Sequence, residues 1–323
     1  MSLNYDALTA TTRKHYLKPL VDNVFNATPL LSYLRRKQKP APGGTKLVQP
    51  LIYAANTSRG SYRGYDTLTV APTDEITAAE FDWKQLYVTL TLSGIEEAMN
   101  RGTLAVLNLL ESKMEIAKQS LIEMFSKQLW GDGTGNGGKD ITGIQAAIDD
   151  GTNVAVYGGI DRTQYGFWKS QYSAGTGGAK RPLTLGLINS MITATSRGND
   201  KVDLIVTTPE LWDALWELLQ KQQRYEAVRV ADTGFDEIRF RGRSVVYDDD
   251  CPEGSMWFIN SDYLTLRPHV DYANFKDTGW KKPVNQDAAV MQILWYGNLT
   301  SSNCRRQGVL WDLEPAESNG NGG

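Results

Sequence analysis

Residues able to do covalent chemistry are few and scattered in this 323-residue chain. Asp248-Asp249-Asp250 is the densest carboxylate group, the residue type that holds divalent cations or trades protons with a substrate. Adjacent side chains on an extended backbone point to opposite faces, so the three read as a solvated turn rather than a metal cage. Cys251, Cys304, His15 and His269 are the only thiols and imidazoles, and their scatter predicts neither a zinc site nor a disulfide framework. Asp132, Thr134, Asn136 and Gly137 imitate the start of a calcium loop, but Gly143 stands where the bidentate Glu belongs. The glycines of 131–138 suggest a phosphate cradle, yet such a cradle precedes a helix and this one follows a helical stretch. Thr207-Thr208-Pro209-Glu210 has no glycine to admit a pyrophosphate, and no Gly-x-Ser-x-Gly elbow exists. No catalytic, cofactor-binding or metal-ligating set emerges. The chemistry that remains is non-covalent: Arg59, Tyr62, Arg63 and Tyr65 are residue types that concentrate binding energy at interfaces.

Something must present those four residues. They lie in the polar stretch ANTSRGSYRGYDTL between two strand-like arms, Lys46–Tyr53 and Glu80–Leu92. In the second arm Leu86, Val88, Leu90 and Leu92 keep period two, while Phe81 and Trp83 are out of phase. Pro50 suits an edge strand. A two-stranded ribbon is only marginally stable alone, so 45–92 is expected to be ordered by another subunit, with a mobile active-site flap as the alternative.

The organising element is Thr103–Trp130, free of Gly and Pro, a predicted helix roughly 40 Å long at 1.5 Å per residue. Leu107, Leu110, Met114, Ala117, Leu121, Phe125 and Leu129 form its buried stripe; Leu109 and Ile116 lie opposite, so contact from two directions is expected. Ser93-Gly94-Ile95-Glu96 has capping-box spacing, Gly102 a kink, and Gly131 a left-handed stop, followed by an exposed connector to Ile148. Val21–Arg36 has helical spacing interrupted by Pro29 and ends in Arg35-Arg36-Lys37-Gln38-Lys39, a solvated helix end or, alternatively, a nucleic-acid contact. The block 184–270 reads as an α/β unit: a helix over 184–197, a buried strand 202–207, a helix from Pro209, and strands 244–247 and 256–260. Strand pattern returns over 286–312, and 314–323 reads as a disordered tail.

Composition narrows the class. The chain is 41% hydrophobic and 22% charged with a net charge of −3, ordinary for a folded protein and unsuited to coating nucleic acid. No apolar run reaches the ~20 residues that cross a bilayer, and no signal-peptide core stands at the N-terminus. The expectation is a soluble protein made in a reducing cytoplasm.

LWGDGTGNGGKDITGI at 129–144 and YGGIDRTQYGFWKSQY at 157–172, with the order of elements over 1–313, resemble the major capsid proteins of tailed bacteriophages. The resemblance implies an α+β capsid fold shared with herpesvirus capsid floors and encapsulins. It would comprise an N-terminal arm (1–44), an extended E-loop (45–92), a P-domain (93–183, with a return over 271–313) built on the spine helix, and an α/β A-domain (184–270). It implies a non-enzymatic subunit that assembles with itself, as hexamers and pentamers, into an icosahedral shell around double-stranded DNA. The shell would be built in the host bacterial cytoplasm and end as the virion, with a portal and decoration proteins as further partners. Residues 1–44 are too short for a fused scaffold, so a separate scaffolding protein is expected. Between Ala54 and Ala79 there is no lysine, only Arg59 and Arg63, so lysine-mediated covalent cross-linking of the loop is not expected. The competing readings are an encapsulin-type compartment with enzyme cargo and an enzyme with an unrecognised carboxylate site.

Overall fold

The computed structural model describes residues 28–68, 70–71, 74–99, 103–220 and 237–315. The chain starts with helix α1 (Pro29–Arg36), then strands β1 (Leu47–Ile52), β2 (Ile76–Phe81) and β3 (Lys84–Ser93). Thr28 Oγ1 caps α1 by accepting from Leu31 N, and Pro29 sits in the first turn, where its missing N–H costs nothing. Pro29 therefore begins this helix, and residues 21–27 of the predicted one lie outside the described residues. The basic cluster closes onto the protein: Lys37 pairs with Asp262 at 2.8 Å.

Helix α2 (Gly94–Met99) leads to the spine, α3 (Thr103–Trp130). Half of the capping box is present, Ser93 N donating to Glu96 Oε2 at 2.9 Å, and Lys113 on the spine holds the same carboxylate at 2.9 Å. Gly102 lies outside the described residues. Leu110, Met114, Ala117, Leu121, Phe125 and Leu129 are all buried, as a 3.6-residue period requires; Ile116, opposite, is exposed.

The second arm of the ribbon differs from the sequence reading. β1 pairs antiparallel with β2, from Leu47 opposite Phe81 to Ile52 opposite Ile76. β3 instead crosses to the fourteen-residue strand β14 (Ala288–Ser301), with Lys84 opposite Gly297 and Ser93 opposite Ala288. The phase slip at Phe81 and Trp83 is the strand break itself, since Asp82 and Trp83 leave the ladder between β2 and β3.

After the spine come the short hairpin β4 (Val156–Tyr157) and β5 (Ile160–Asp161), then β6 (Gln171–Ser173), β7 (Arg181–Pro182) and helix α4 (Leu185–Thr195). They are followed by β8 (Leu204–Thr207), helix α5 (Pro209–Gln220), β9 (Ile238–Phe240), β10 (Arg243–Tyr247), β11 (Met256–Ile259) and β12 (Leu264–Pro268). β13 (Lys276–Asp277), β14, β15 (Gly308–Leu310) and β16 (Leu313–Glu314) complete the chain.

Six strands, in the order β6-β15-β11-β8-β10-β9, make the larger sheet. Its period-two alternation decides both faces. Leu204, Val206, Trp257 and Val309 join the core that contains the spine, while Ile205, Val245, Phe258 and Leu310 pack under α4 and α5. This sheet recruits 171–173 and 308–310 from outside the block 184–270. β12, inside that block by sequence, pairs with β14 in the other sheet, on the edge opposite β3, so that Gly297 has Pro268 on one side and Lys84 on the other. Leu313 and Glu314 pair with Arg181 and Pro182, so the tail starts later than 314; from 316 on it lies outside the described residues.

Candidate functional site

The loop tip carries the four residues singled out by sequence, and its geometry is built from the base upward. Leu47, Leu51, Ala79 and Phe81 on β1 and β2 are buried, whereas Val48, Ile52 and Ile76 are exposed. The base rests on the hairpin β4–β5, whose Gly158 and Gly159 both take positive φ (59° and 75°), the conformation a two-residue type I′ turn needs. A Cβ on Gly158 would lie 2.8 Å from Phe81 Cζ, so only glycine lets the ribbon sit this close. Glu80 N donates to Gly158 O at 2.9 Å, and the Phe81 and Tyr157 rings meet edge-on at 5.0 Å. Arg267 donates to Val48 O at 3.1 Å from the other side.

Just beyond the ladder the Tyr53 ring stacks on Phe167 at 5.2 Å, and from Arg59 to Leu68 the residues are exposed. Ser58 Oγ donates to Ala71 O at 3.0 Å, and Arg63 N donates to Asp66 Oδ2 at 2.7 Å in a turn that places Gly64 at φ 49°. Arg59, Tyr62, Arg63 and Tyr65 are brought to one exposed tip. Sequence reasoning missed Leu68 and Val70 beside them, both exposed; their apolar type within a polar connection was the available signal. Among the described residues, eight of the fifteen exposed large apolar side chains fall between Val48 and Ile76. Scattered singly such residues mean little, but gathered on a projecting ribbon they mark an interaction surface.

What holds this ribbon in place explains the two motifs. Arg162 of GGIDR is 0% exposed, and its guanidinium donates to the carbonyls of Ala146 (2.7 Å), Ala147 (2.7 Å), Val154 (3.4 Å) and Trp168 (3.2 Å). It also lies 4.8 Å from the Tyr157 ring centroid. The guanidinium is thus a five-donor staple joining loops that have no regular ladder of their own.

In the other motif Gly131 does not turn left-handed; the positive φ falls two residues later, at Gly133 (85°). The helix still ends at Trp130, directly before Gly131, and Gly143 is the glycine that packs against that end, where a Cβ would lie 2.4 Å from both the Leu129 and Gly131 carbonyl oxygens. The connector is exposed only around its glycines: Ile141, Ile144, Ala146, Ala147 and Ile148 are buried against the spine end. Asn298, fully buried in β14, accepts from Thr142 N at 3.0 Å and donates to Asp82 O at 2.9 Å, tying the connector behind the spine to the break between β2 and β3.

The aspartate triplet is only partly solvated. Asp249 is exposed, but Asp248 is buried, accepts from Asp250 N at 3.1 Å through one oxygen and has no hydrogen-bond partner on the other. Burial, the largest effect, pushes its carboxyl pKa up to about 6. Among the described residues no group of three or more His, Cys, Asp or Glu is arranged to hold a metal ion, and no helix is long and apolar enough to cross a membrane.

A projecting ribbon, a long spine under a small sheet and a helix-covered second sheet form one recognisable layout. Residues 89–302 match the SU10 major capsid protein family. The chain belongs to that family. Its fold is similar to the subunit of the cyanophage A-1(L) capsid, with a TM-score of 0.70 at 17% identity over 88% of this chain and 93% of the other. It is also similar to the capsid of the native GTA particle, with a TM-score of 0.60 at 13% identity over 87% and 89%. The SrpI encapsulin of Synechococcus elongatus PCC 7942 shares the fold more distantly, with a TM-score of 0.52 at 9% identity over 74% and 76%. No curated protein sequence matches the chain. The capsid protein is a shell subunit of a phage head, it self-associates, and its place is the virion.

Proposed function

We propose that the tip of the capsid protein's loop holds neighbouring subunits together by non-covalent contacts, with Arg59, Tyr62, Arg63 and Tyr65 as anchors and Leu68 and Val70 beside them. The observation that carries this is the concentration of exposed apolar side chains on a ribbon whose base alone is packed. Such a surface is stabilised only when a partner removes it from water. Arginine pairs bidentately with a carboxylate, and tyrosine buries its ring while its hydroxyl stays bonded. On this reading 47–81 is the E-loop, the spine with the β3–β14 sheet forms the P-domain, and the six-stranded sheet with α4 and α5 forms the A-domain.

The protein works as a building unit without catalytic turnover. A separate scaffolding protein, a portal, decoration proteins and DNA on the inner face complete the particle, with assembly in the host cytoplasm; the resemblance to tailed-phage capsid proteins supports these partners. Replacing Arg59 and Arg63 together by Ala tests the tip. The chain should keep its melting temperature as an unassembled subunit and lose stable shells, since truncating one such anchor costs on the order of 1–3 kcal/mol and the loss recurs at every copy. Double-variant shells as resistant to heat and denaturant as the wild type would rule the tip out.

A further inference from the structure

One corner of the six-stranded sheet gathers positive charge around a cavity whose lining holds no carboxylate, although Asp200 stands in the adjoining turn. The C-terminus of α4, the turn near Gly198 and the β9–β10 turn enclose a cavity of about 330 Å³ lined by Thr193, Ser196, Lys201, Arg241 and Arg243 among others. Arg243 is only 8% exposed. Its guanidinium donates to Arg241 O at 3.0 Å and to Ser196 Oγ at 3.4 Å, and its Nε–H is buried without any partner. Arg241 donates to Asn189 Oδ1 at 2.9 Å, and Lys201 is exposed at the rim. The acids of adjoining strands are engaged elsewhere: Glu237 with the Ser244 hydroxyl, Asp203 with Ser261. A guanidinium this buried ordinarily faces a carboxylate, because an unpaired charge out of water is costly. Here burial first, and the Arg241 charge second, pull its pKa below the usual arginine value. The negative end of α4 offers a simpler account, yet the guanidinium bonds go to the β9–β10 turn and to a hydroxyl, not to the helix carbonyls.

We propose that this cavity binds a phosphate group, with Lys201, Arg241 and Arg243 as its cationic wall and the Ser196 hydroxyl beside it. Three cations exceed what one carboxylate neutralises and suit a dianion, and the arginine fork matches phosphate oxygens two at a time. The phosphate comes either from a free phosphate or oligophosphate or from a nucleic-acid backbone.

The test is calorimetric titration of the full chain with inorganic phosphate and with tripolyphosphate at constant ionic strength, for wild type and for a Lys201→Gln, Arg241→Gln double variant. Both substituted residues are exposed, so the variant should melt like the wild type in chloride buffer. Saturable binding, weakened about tenfold or more in the variant, is expected. A labelled DNA duplex is the second arm: a matching loss of DNA binding assigns the phosphate to a nucleic-acid backbone, and unchanged DNA binding assigns it to a free anion. Wild-type protein that binds no phosphate, or a variant that binds it equally well, overturns the proposal. Shells lost in the variant without phosphate binding by the wild type would assign the cluster to a neighbour's carboxylate instead.

Discussion

At the scale of single residues, the capsid protein depends on polar side chains placed where an apolar one would pack but not connect. Arg162 is the extreme case, a guanidinium with no exposure whose bonds go to main-chain carbonyls. Lysine keeps the charge but supplies three donors from one point in place of five in a plane. Arg162→Lys should therefore leave buried carbonyls unpaired and destabilise the chain by about 3 kcal/mol, read from the midpoint of urea unfolding. A change below about 0.5 kcal/mol would mean the staple is dispensable. Nothing in the sequence pattern marks Arg162 as buried, since the carbonyls it binds are main-chain atoms common to every residue. Asn298 was hidden for the same reason.

At the scale of elements, legibility followed periodicity. The spine was readable to its last residue because its apolar stripe is long and uninterrupted, and the buried strand Leu204–Thr207 because both its faces are covered. The ribbon's second arm was misplaced because a run of extended residues does not say which partner each half chooses; only the phase slip at Phe81 and Trp83 carried that information. The left-handed turn was placed at Gly131 and not at Gly133, since a glycine needed for close approach looks the same in sequence as one needed for positive φ. Gly143→Ala should accordingly cost about 3 kcal/mol, because the atoms in its way are backbone and cannot swing aside. A melting temperature equal to the wild type's would mean that the spine end has room for a side chain there.

The junction between the spine end and the larger sheet also titrates. Folded Asp248, at about 6, lies above the ordinary aspartate value near 3.9, so the folded state favours its protonated form. Its penalty is full above about pH 6 and vanishes below about pH 4. Asp248→Asn should stabilise the protein by up to about 3 kcal/mol at pH 8 and give little at pH 4. Parallel melting curves for the two proteins across that range would contradict the assignment.

At the scale of the whole molecule, the chain folds around two cores yet leaves its most apolar exposed surface on a ribbon that projects from them. That imbalance is a defect in a monomer and a connector in a shell. With no lysine between Ala54 and Ala79, subunits released from mature shells should run as single chains of 35.9 kDa on a denaturing gel; a ladder of linked multimers would contradict non-covalent closure. The most direct measurement is a reconstruction of the assembled shell at side-chain detail. Tyr65 and Val70, 107% and 94% exposed in the isolated chain, should there be buried against a neighbouring copy, with Arg59 or Arg63 facing one of its carboxylates. A tip still in solvent in every subunit of a closed shell would contradict the account.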